Sequence, residues 1–176
     1  DTLHVDVTGR VAIDVGASTG GFTDCLLQRG AVRVYAVDVG RGLLHEKLRR
    51  DARVVAVESQ NARTLSHQEI AEAASIATFD VSFISLEAVL PPVLALLAKD
   101  AWVVALVKPQ FEAERREVEK GGIVRDDAVR RRVVEKIAGV MAGLGVEVVG
   151  SIDAPIAGAK GNREVRLIGK KGRGGM

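Results

Sequence analysis

Short aliphatic runs alternate with helix-compatible stretches along the chain, and few folds accommodate that rhythm. Strands are expected at Val11–Val15, Arg33–Val37, Arg53–Val57, Ala77–Val81, Trp102–Val107, Val146–Ile152 and Glu164–Ile168. Helices are expected between the first six, at Gly20–Arg29, Gly42–Arg50, Ser66–Ala74, Leu86–Lys99 and Asp126–Gly143. Strands joined by crossover helices pair in parallel and place helices on both faces of one sheet. The stretch Asp153–Arg163 holds Pro155, Gly158 and Gly161 and fits no helix, so the last two strands are expected to pair antiparallel. The expected product is an α/β protein with a seven-stranded, mostly parallel sheet and an antiparallel last strand.

Local signals support several of these elements. Ser66 and Glu69 have capping-box spacing. Val129, Val133, Ile137 and Met141 form an apolar stripe at four-residue steps, with Asp126 or Asp127 available as a cap and Gly143 and Gly145 as a stop. Pro91 and Pro92 suit the early part of a helix better than its middle. The segments Pro109–Arg125 and Gly169–Met176 read as irregular.

A length of 176 residues suits one domain, expected over residues 1–168 with a disordered basic tail at 169–176. Aromatic residues make up only 3% of the chain, so the core is expected to be aliphatic. The net charge of +2 is unevenly placed. Residues 160–176 hold six basic side chains and one acid, leaving about −3 on the remainder, which permits a polyanionic partner. Cys25 is the single cysteine, so no intrachain disulfide can form and a reducing, cytoplasmic setting is expected. His4, His45 and His67 lack metal-ligand spacing, and no metal is expected. The longest apolar stretch, Ala88–Ala98, is interrupted by two prolines and falls short of a bilayer span, so no membrane partner is expected. The chain opens on Asp1 and contains only Met141 and Met176, as expected of a piece of a longer protein.

The first strand runs into Asp14-Val15-Gly16-Ala17-Ser18-Thr19-Gly20-Gly21. A glycine-rich turn between strand and helix lets a ligand approach the backbone. The dinucleotide pattern G-x-G-x-x-G is broken, because Ser18 stands where its second glycine belongs. An acid at Asp14 would repel a diphosphate and could accept from the ammonium of an amino-acid cofactor, which favours S-adenosylmethionine over NAD. Asp38 ends the second strand, where an acid commonly takes the hydroxyls of an adenosine ribose. Asn61, after the third, could read an adenine edge or make a local turn.

Asp80, Lys108 and Glu164 stand at strand ends on one expected edge of the sheet. Lys108 emerges from an aliphatic strand. Partial burial disfavours an ammonium ion and makes an amine a usable base, with Asp80 and Glu164 free to orient it. A purely structural ion pair at the strand end is the competing reading.

The blocks Gly16–Thr23, Asp80–Leu86, Leu106–Glu112 and Gly161–Glu164 resemble the TlyA (haemolysin-like) family, within the FtsJ-like ribose methyltransferases. The resemblance runs from about Val11 to Ile168. It implies a Rossmann-like class I methyltransferase fold and S-adenosylmethionine-dependent 2′-O-methylation of ribosomal RNA, typically of cytidine. Asp14, Gly16, Ala17, Ser18, Gly20, Gly21, Phe22, Asp38, Asn61 and Asp80 are the expected cofactor contacts. Asp80, Lys108 and Glu164 match three members of the Lys-Asp-Lys-Glu tetrad of FtsJ-like enzymes. The first tetrad lysine has no match, since the first lysine of the chain is Lys47, and the family's small N-terminal RNA-binding domain has none either. Arg115, Arg116, Lys120 and Arg125 are candidate contacts to RNA of a ribosomal subunit. A domain that binds S-adenosylmethionine or RNA without turnover is the alternative.

Overall fold

The computed structural model describes residues 4–154, 157–158 and 161–172. The strands are β1 (Val11–Val15), β2 (Arg33–Val37), β3 (Val54–Val57), β4 (Ala74–Phe79), β5 (Leu97–Val107), β6 (Val146–Asp153) and β7 (Val165–Lys171). They form one sheet in the order β3-β2-β1-β4-β5-β7-β6. The pairs through β5 are parallel, and β7 runs antiparallel to both β5 and β6. Strand order reverses between β1 and β4, and in an open α/β sheet the crevice at such a reversal is where ligands bind.

The helices are α1 (Gly21–Gln28), α2 (Glu46–Arg49), α3 (Leu86–Leu94), α4 (Pro109–Glu112) and α5 (Asp127–Gly143). Two aliphatic cores follow from strand alternation. Ile13 and Val15 pack on one face with Leu90 of α3 and Ile137 and Met141 of α5, while Ala12 faces the other with Leu26 and Leu27 of α1. The four-residue stripe of α5 is buried as expected, and Asp126 caps the helix by accepting from the Ala128 N–H at 2.8 Å.

Several boundaries differ from the sequence expectation. Ser66–Ala74 is not a helix. Ser66 and Glu69 do bond to each other through both the Ser66 N–H and hydroxyl, but the turn stops and the chain enters β4 at Ala74. A short 3-10 turn at Ala62–Thr64 precedes it. α2 is reduced to four residues behind Gly42, whose φ of +70° is incompatible with a right-handed helix. α3 ends at Leu94 rather than Lys99. Pro91 and Pro92 lie in its second half, where each removes an internal hydrogen bond, and β5 begins three residues after the helix ends. Gly169–Lys171, expected in an irregular tail, are the end of β7, paired to Val146–Val148 of β6. Residues 173–176 lie outside the described residues. Pro109–Arg125 is more ordered than expected, containing α4 and a 3-10 turn at Arg115–Glu117.

Candidate active site

The loops at the carboxyl ends of β1, β2 and β4 enclose a cleft of about 250 Å³. Gly16, Ser18, Asp38, Asn61 and Asp80 line it together with Val39, Leu43, Phe83 and Ile84. Its two acids are Asp38 and Asp80, and none of its lining side chains is basic. Val39, Leu43 and Phe83 are half of the six exposed large hydrophobic residues among the described residues, so apolar surface left open to water gathers around this one cleft.

Its floor depends on Gly16. A Cβ there would fall 2.2 Å from the Asp80 carbonyl oxygen, so only glycine lets β1 and β4 close up at this level. The Gly16 and Ala17 N–H groups both donate to the Val37 carbonyl. Asp38 fixes the rest of the loop, with Oδ2 accepting from the Ser18 N–H and Oδ1 from the Gly40 N–H, both at 2.8 Å. Ser18 holds a φ of +53°, a strained setting for a residue with a side chain. Asn61 Oδ1 accepts from the Arg63 N–H at 3.0 Å, leaving its Nδ2 uncommitted to that turn.

Five expected cofactor contacts do not line the cleft: Asp14, Ala17, Gly20, Gly21 and Phe22. Asp14 is fully buried, and its carboxylate accepts from the hydroxyls of Thr23 at 2.7 Å and Thr78 at 3.0 Å. Burial pushes its carboxyl up to about 6 against the opposing effect of those two hydroxyls. Strand alternation is the reason, since Asp14 points to the α1 face. Phe22 lies on that same face beneath the Arg166 guanidinium, 5.8 Å from the ring centre. Gly21 opens α1 with free space around it. Gly20 is the N-cap of α1, with φ +109° and no room for a Cβ beside Leu48.

Lys108 follows β5 and reaches the cleft residues Asp80 and Ser82. Its Nζ lies 2.6 Å from Asp80 Oδ1 and donates to Ser82 Oγ at 3.1 Å. The lysine side chain is 13% exposed. The register explains the encounter, because Phe79 pairs with Ala105 and leaves both residues at the sheet's edge. One step beyond the last β5–β7 pair, Val107–Val165, stand Lys108 and Glu164. The Glu164 side chain nevertheless takes a different partner. Its Oε1 accepts from Gln110 Nε2 at 3.1 Å and packs against Gly158. The expectation that Glu164 orients the lysine directly is therefore corrected: Asp80 and Ser82 hold the amine, and Glu164 holds the segment just after it.

Ser82, Gln110 and Glu112 lie within the motif blocks Asp80–Leu86 and Leu106–Glu112, but spacing alone gives them no role. Glu112 accepts from Ser85 Oγ and the Leu86 N–H, which joins α4 to the start of α3. Phe83 is 90% exposed, has φ +63° and packs tilted against Phe111, with ring centres 4.8 Å apart. Arg115, Arg116, Lys120 and Arg125 are all exposed; Arg116 pairs with Glu114 and Arg125 with Glu119.

Comparison with known proteins fits this geometry. The model of the FtsJ-like methyltransferase family matches residues 1–171. The chain belongs to that family. Among curated relatives, this FtsJ-like chain is 45% identical over 161 residues to hemolysin A of Brachyspira hyodysenteriae, covering 91% of the chain and 67% of the relative. It is 46% identical over 167 residues to the 16S/23S rRNA (cytidine-2′-O)-methyltransferase TlyA of Mycobacterium tuberculosis, covering 95% of the chain and 62% of the relative. The chain thus spans about two thirds of the length of these relatives. A solved S-adenosylmethionine-dependent methyltransferase from Mesorhizobium loti superposes with a TM-score of 0.69 at 12% identity, covering 96% of this chain and 94% of that one, which establishes the shared fold. No helix among the described residues is long and apolar enough to cross a membrane.

Proposed function

We propose that this FtsJ-like chain binds S-adenosylmethionine in the cleft and methylates the 2′-oxygen of a ribose in ribosomal RNA, with cytidine as the target nucleoside its TlyA relative's name suggests. The observation that carries the reading is a cleft lined by no basic side chain and by two carboxylates, one of which, Asp80, also holds Lys108 beside the cleft. Such a lining suits a cofactor with a cationic sulfur and an ammonium group and disfavours a diphosphate. The residues fit the adenosine part as well. Each Asp38 oxygen accepts one backbone N–H and keeps a lone pair for a ribose hydroxyl. Asn61 Nδ2 is left to donate to an adenine edge between the apolar Val39 and Leu43.

When bound, S-adenosylmethionine supplies a methyl group on a positively charged sulfur. The remaining work is alignment and removal of a proton. Lys108 Nζ takes the proton of the ribose 2′-hydroxyl, and Asp80 Oδ1 stabilises the resulting ammonium. Glu164 acts at one remove by fixing Gln110 beside the lysine. Phe83 offers an aromatic face to an unstacked base at the mouth of the cleft. Arg115, Arg116, Lys120 and Arg125 meet phosphates beyond it.

Calorimetric titration with S-adenosylmethionine and with NAD tests the cofactor, and nucleoside mass spectrometry of treated ribosomal subunits tests the reaction. NAD binding without S-adenosylmethionine binding rejects the first part. A methyl group on a base rather than a ribose rejects the second.

A further inference from the structure

We propose that Ser82 is a positioning residue that sets the direction of the Lys108 lone pair; this rests on the reading of Lys108 as the base. The Lys108 nitrogen has four tetrahedral positions. One is the bond to Cε. Asp80 Oδ1 at 2.6 Å and Ser82 Oγ at 3.1 Å face two others as acceptors. A neutral amine has two N–H bonds, and both acceptors together engage both of them. The lone pair then has a single direction left, and the 2′-hydroxyl proton must arrive along it. With Asp80 as sole acceptor, one N–H is held, and rotation about Cε–Nζ can place the lone pair at either remaining position. In the forward step the proton passes from the ribose oxygen to Nζ while that oxygen bonds the methyl carbon. The carbon–sulfur bond breaks and its electron pair returns to sulfur. Nζ becomes an ammonium whose third N–H occupies the position the lone pair held.

Ser82 is itself well held for such a part. Two residues earlier, the Asp80 N–H donates to the Val15 carbonyl at 2.9 Å, which ties this tip to β1. One residue later, Phe83 sits in the left-handed region and packs at a tilt against Phe111, which follows Lys108 by three residues. The hydroxyl and the amine it receives are therefore fixed to one another through two routes, the β4–β5 register and the aromatic pair. Ser82 also lines the cleft, so its hydroxyl is at the reacting end rather than behind it.

The test compares Ser82→Ala and Ser82→Thr with the unaltered chain in four measurements, of which thermal melting is one. Lysine-selective NMR follows hydrogen exchange of the Lys108 ammonium, with the signal assigned by its loss in Lys108→Arg. Calorimetry gives S-adenosylmethionine affinity, and single-turnover methyl transfer to ribosomal subunits gives the rate. Ser82→Ala is expected to speed ammonium exchange several-fold and to lower the rate about twofold, as the productive direction becomes one of two. Cofactor affinity and melting temperature stay unchanged, and Ser82→Thr restores both exchange and rate. Unchanged exchange in Ser82→Ala overturns the proposal whether or not turnover is seen, as does an unchanged rate with faster exchange. Failure of the underlying reading looks different: Lys108→Arg would keep the full rate while Ser82→Ala still loosened the ammonium.

Discussion

The Glu112 carboxylate accepts the Leu86 N–H at 2.8 Å across 26 residues of sequence, binding the segment after β5 to the first turn of α3. Its other oxygen accepts from Ser85 Oγ at 2.7 Å, and Ser85 Oγ in turn caps α3 through the Glu87 N–H. Burial pushes the Glu112 carboxyl up, against the opposing effect of the Leu86 N–H and the Ser85 hydroxyl. Glu112→Ala leaves two donors without an acceptor in a half-buried place. A loss of about 1–3 kcal/mol in unfolding free energy is expected. Glu112→Gln keeps one acceptor and should recover roughly half of it. Urea unfolding of the two variants gives the comparison.

Asp14 makes the stability of the chain depend on pH in an unusual sense for a carboxylate. Its folded value of about 6 lies above the ordinary 3.8. The folded state therefore holds the proton more tightly than the unfolded one. The associated stability is fully present below the ordinary value and is lost as pH rises through about 6, with a magnitude on the order of 3 kcal/mol. Thermal unfolding between pH 4 and 8 should show this decline. Asp14→Asn, which cannot ionise, should flatten that part of the curve and melt higher than the parent at pH 8. A parallel decline in both proteins would assign the effect to other groups.

Asp38→Ala should weaken S-adenosylmethionine binding by roughly 1.5–3 kcal/mol, the range for charge-assisted hydrogen bonds. Part of that loss comes from freeing the Ser18 and Gly40 N–H groups that the carboxylate holds. Adenosine alone should lose nearly as much affinity as the whole cofactor, because the contact is to the ribose. Calorimetry with both ligands measures the two losses.

Lys108→Ala should lower methyl transfer by about 10²–10⁴-fold while cofactor affinity stays close to that of the parent. Lys108→Arg should be nearly as damaging, because a guanidinium keeps its proton. If Lys108 serves only as a structural ion pair with Asp80, residual activity will instead track the folded fraction. Rate, affinity and melting temperature measured on one preparation separate the two.

Phe83→Ala should weaken RNA binding by about 1–3 kcal/mol, the contribution of one base stacked on an aromatic ring. Phe83→Leu, which keeps bulk but not the ring face, should recover little. Filter binding to a ribosomal RNA fragment provides the measurement. An unchanged affinity in Phe83→Ala would leave the exposed ring without this role.

The strands and α5 were legible because their periodicity is unbroken: Val11–Val15, Arg33–Val37 and the stripe from Val129 to Met141 fall where the pattern puts them. Ser66–Glu69 misled because a capping box describes only a first turn. The following residues, with Ile70 fully buried, are drawn into the core and the strand. The edge carrying Asp80 and Lys108 was legible from parallel topology alone. The inward turn of Asp14 follows from the alternation of β1, whereas an acid beside a glycine loop by itself suggests a ligand. Glu164 took Gln110 rather than Lys108 for a reason that spacing does not carry, since residues sharing a sheet edge can still aim their side chains apart. Ser82 and Phe83 lie on a loop tip where Phe83 takes left-handed backbone, and no periodic signal reaches such a place.

Asn162 accepts from the Val124 N–H at 2.9 Å and donates to the Gly122 carbonyl at 2.8 Å, both from a side chain that is almost fully buried. It stitches the far end of the charged segment that begins after α4 to the residues just ahead of β7, next to Glu164. The exposed Arg125 and Lys120 therefore sit on a stiff shelf rather than a loose arm. A polyanion settling there would find little chain left to freeze, because the entropy of that ordering was already lost when the domain folded.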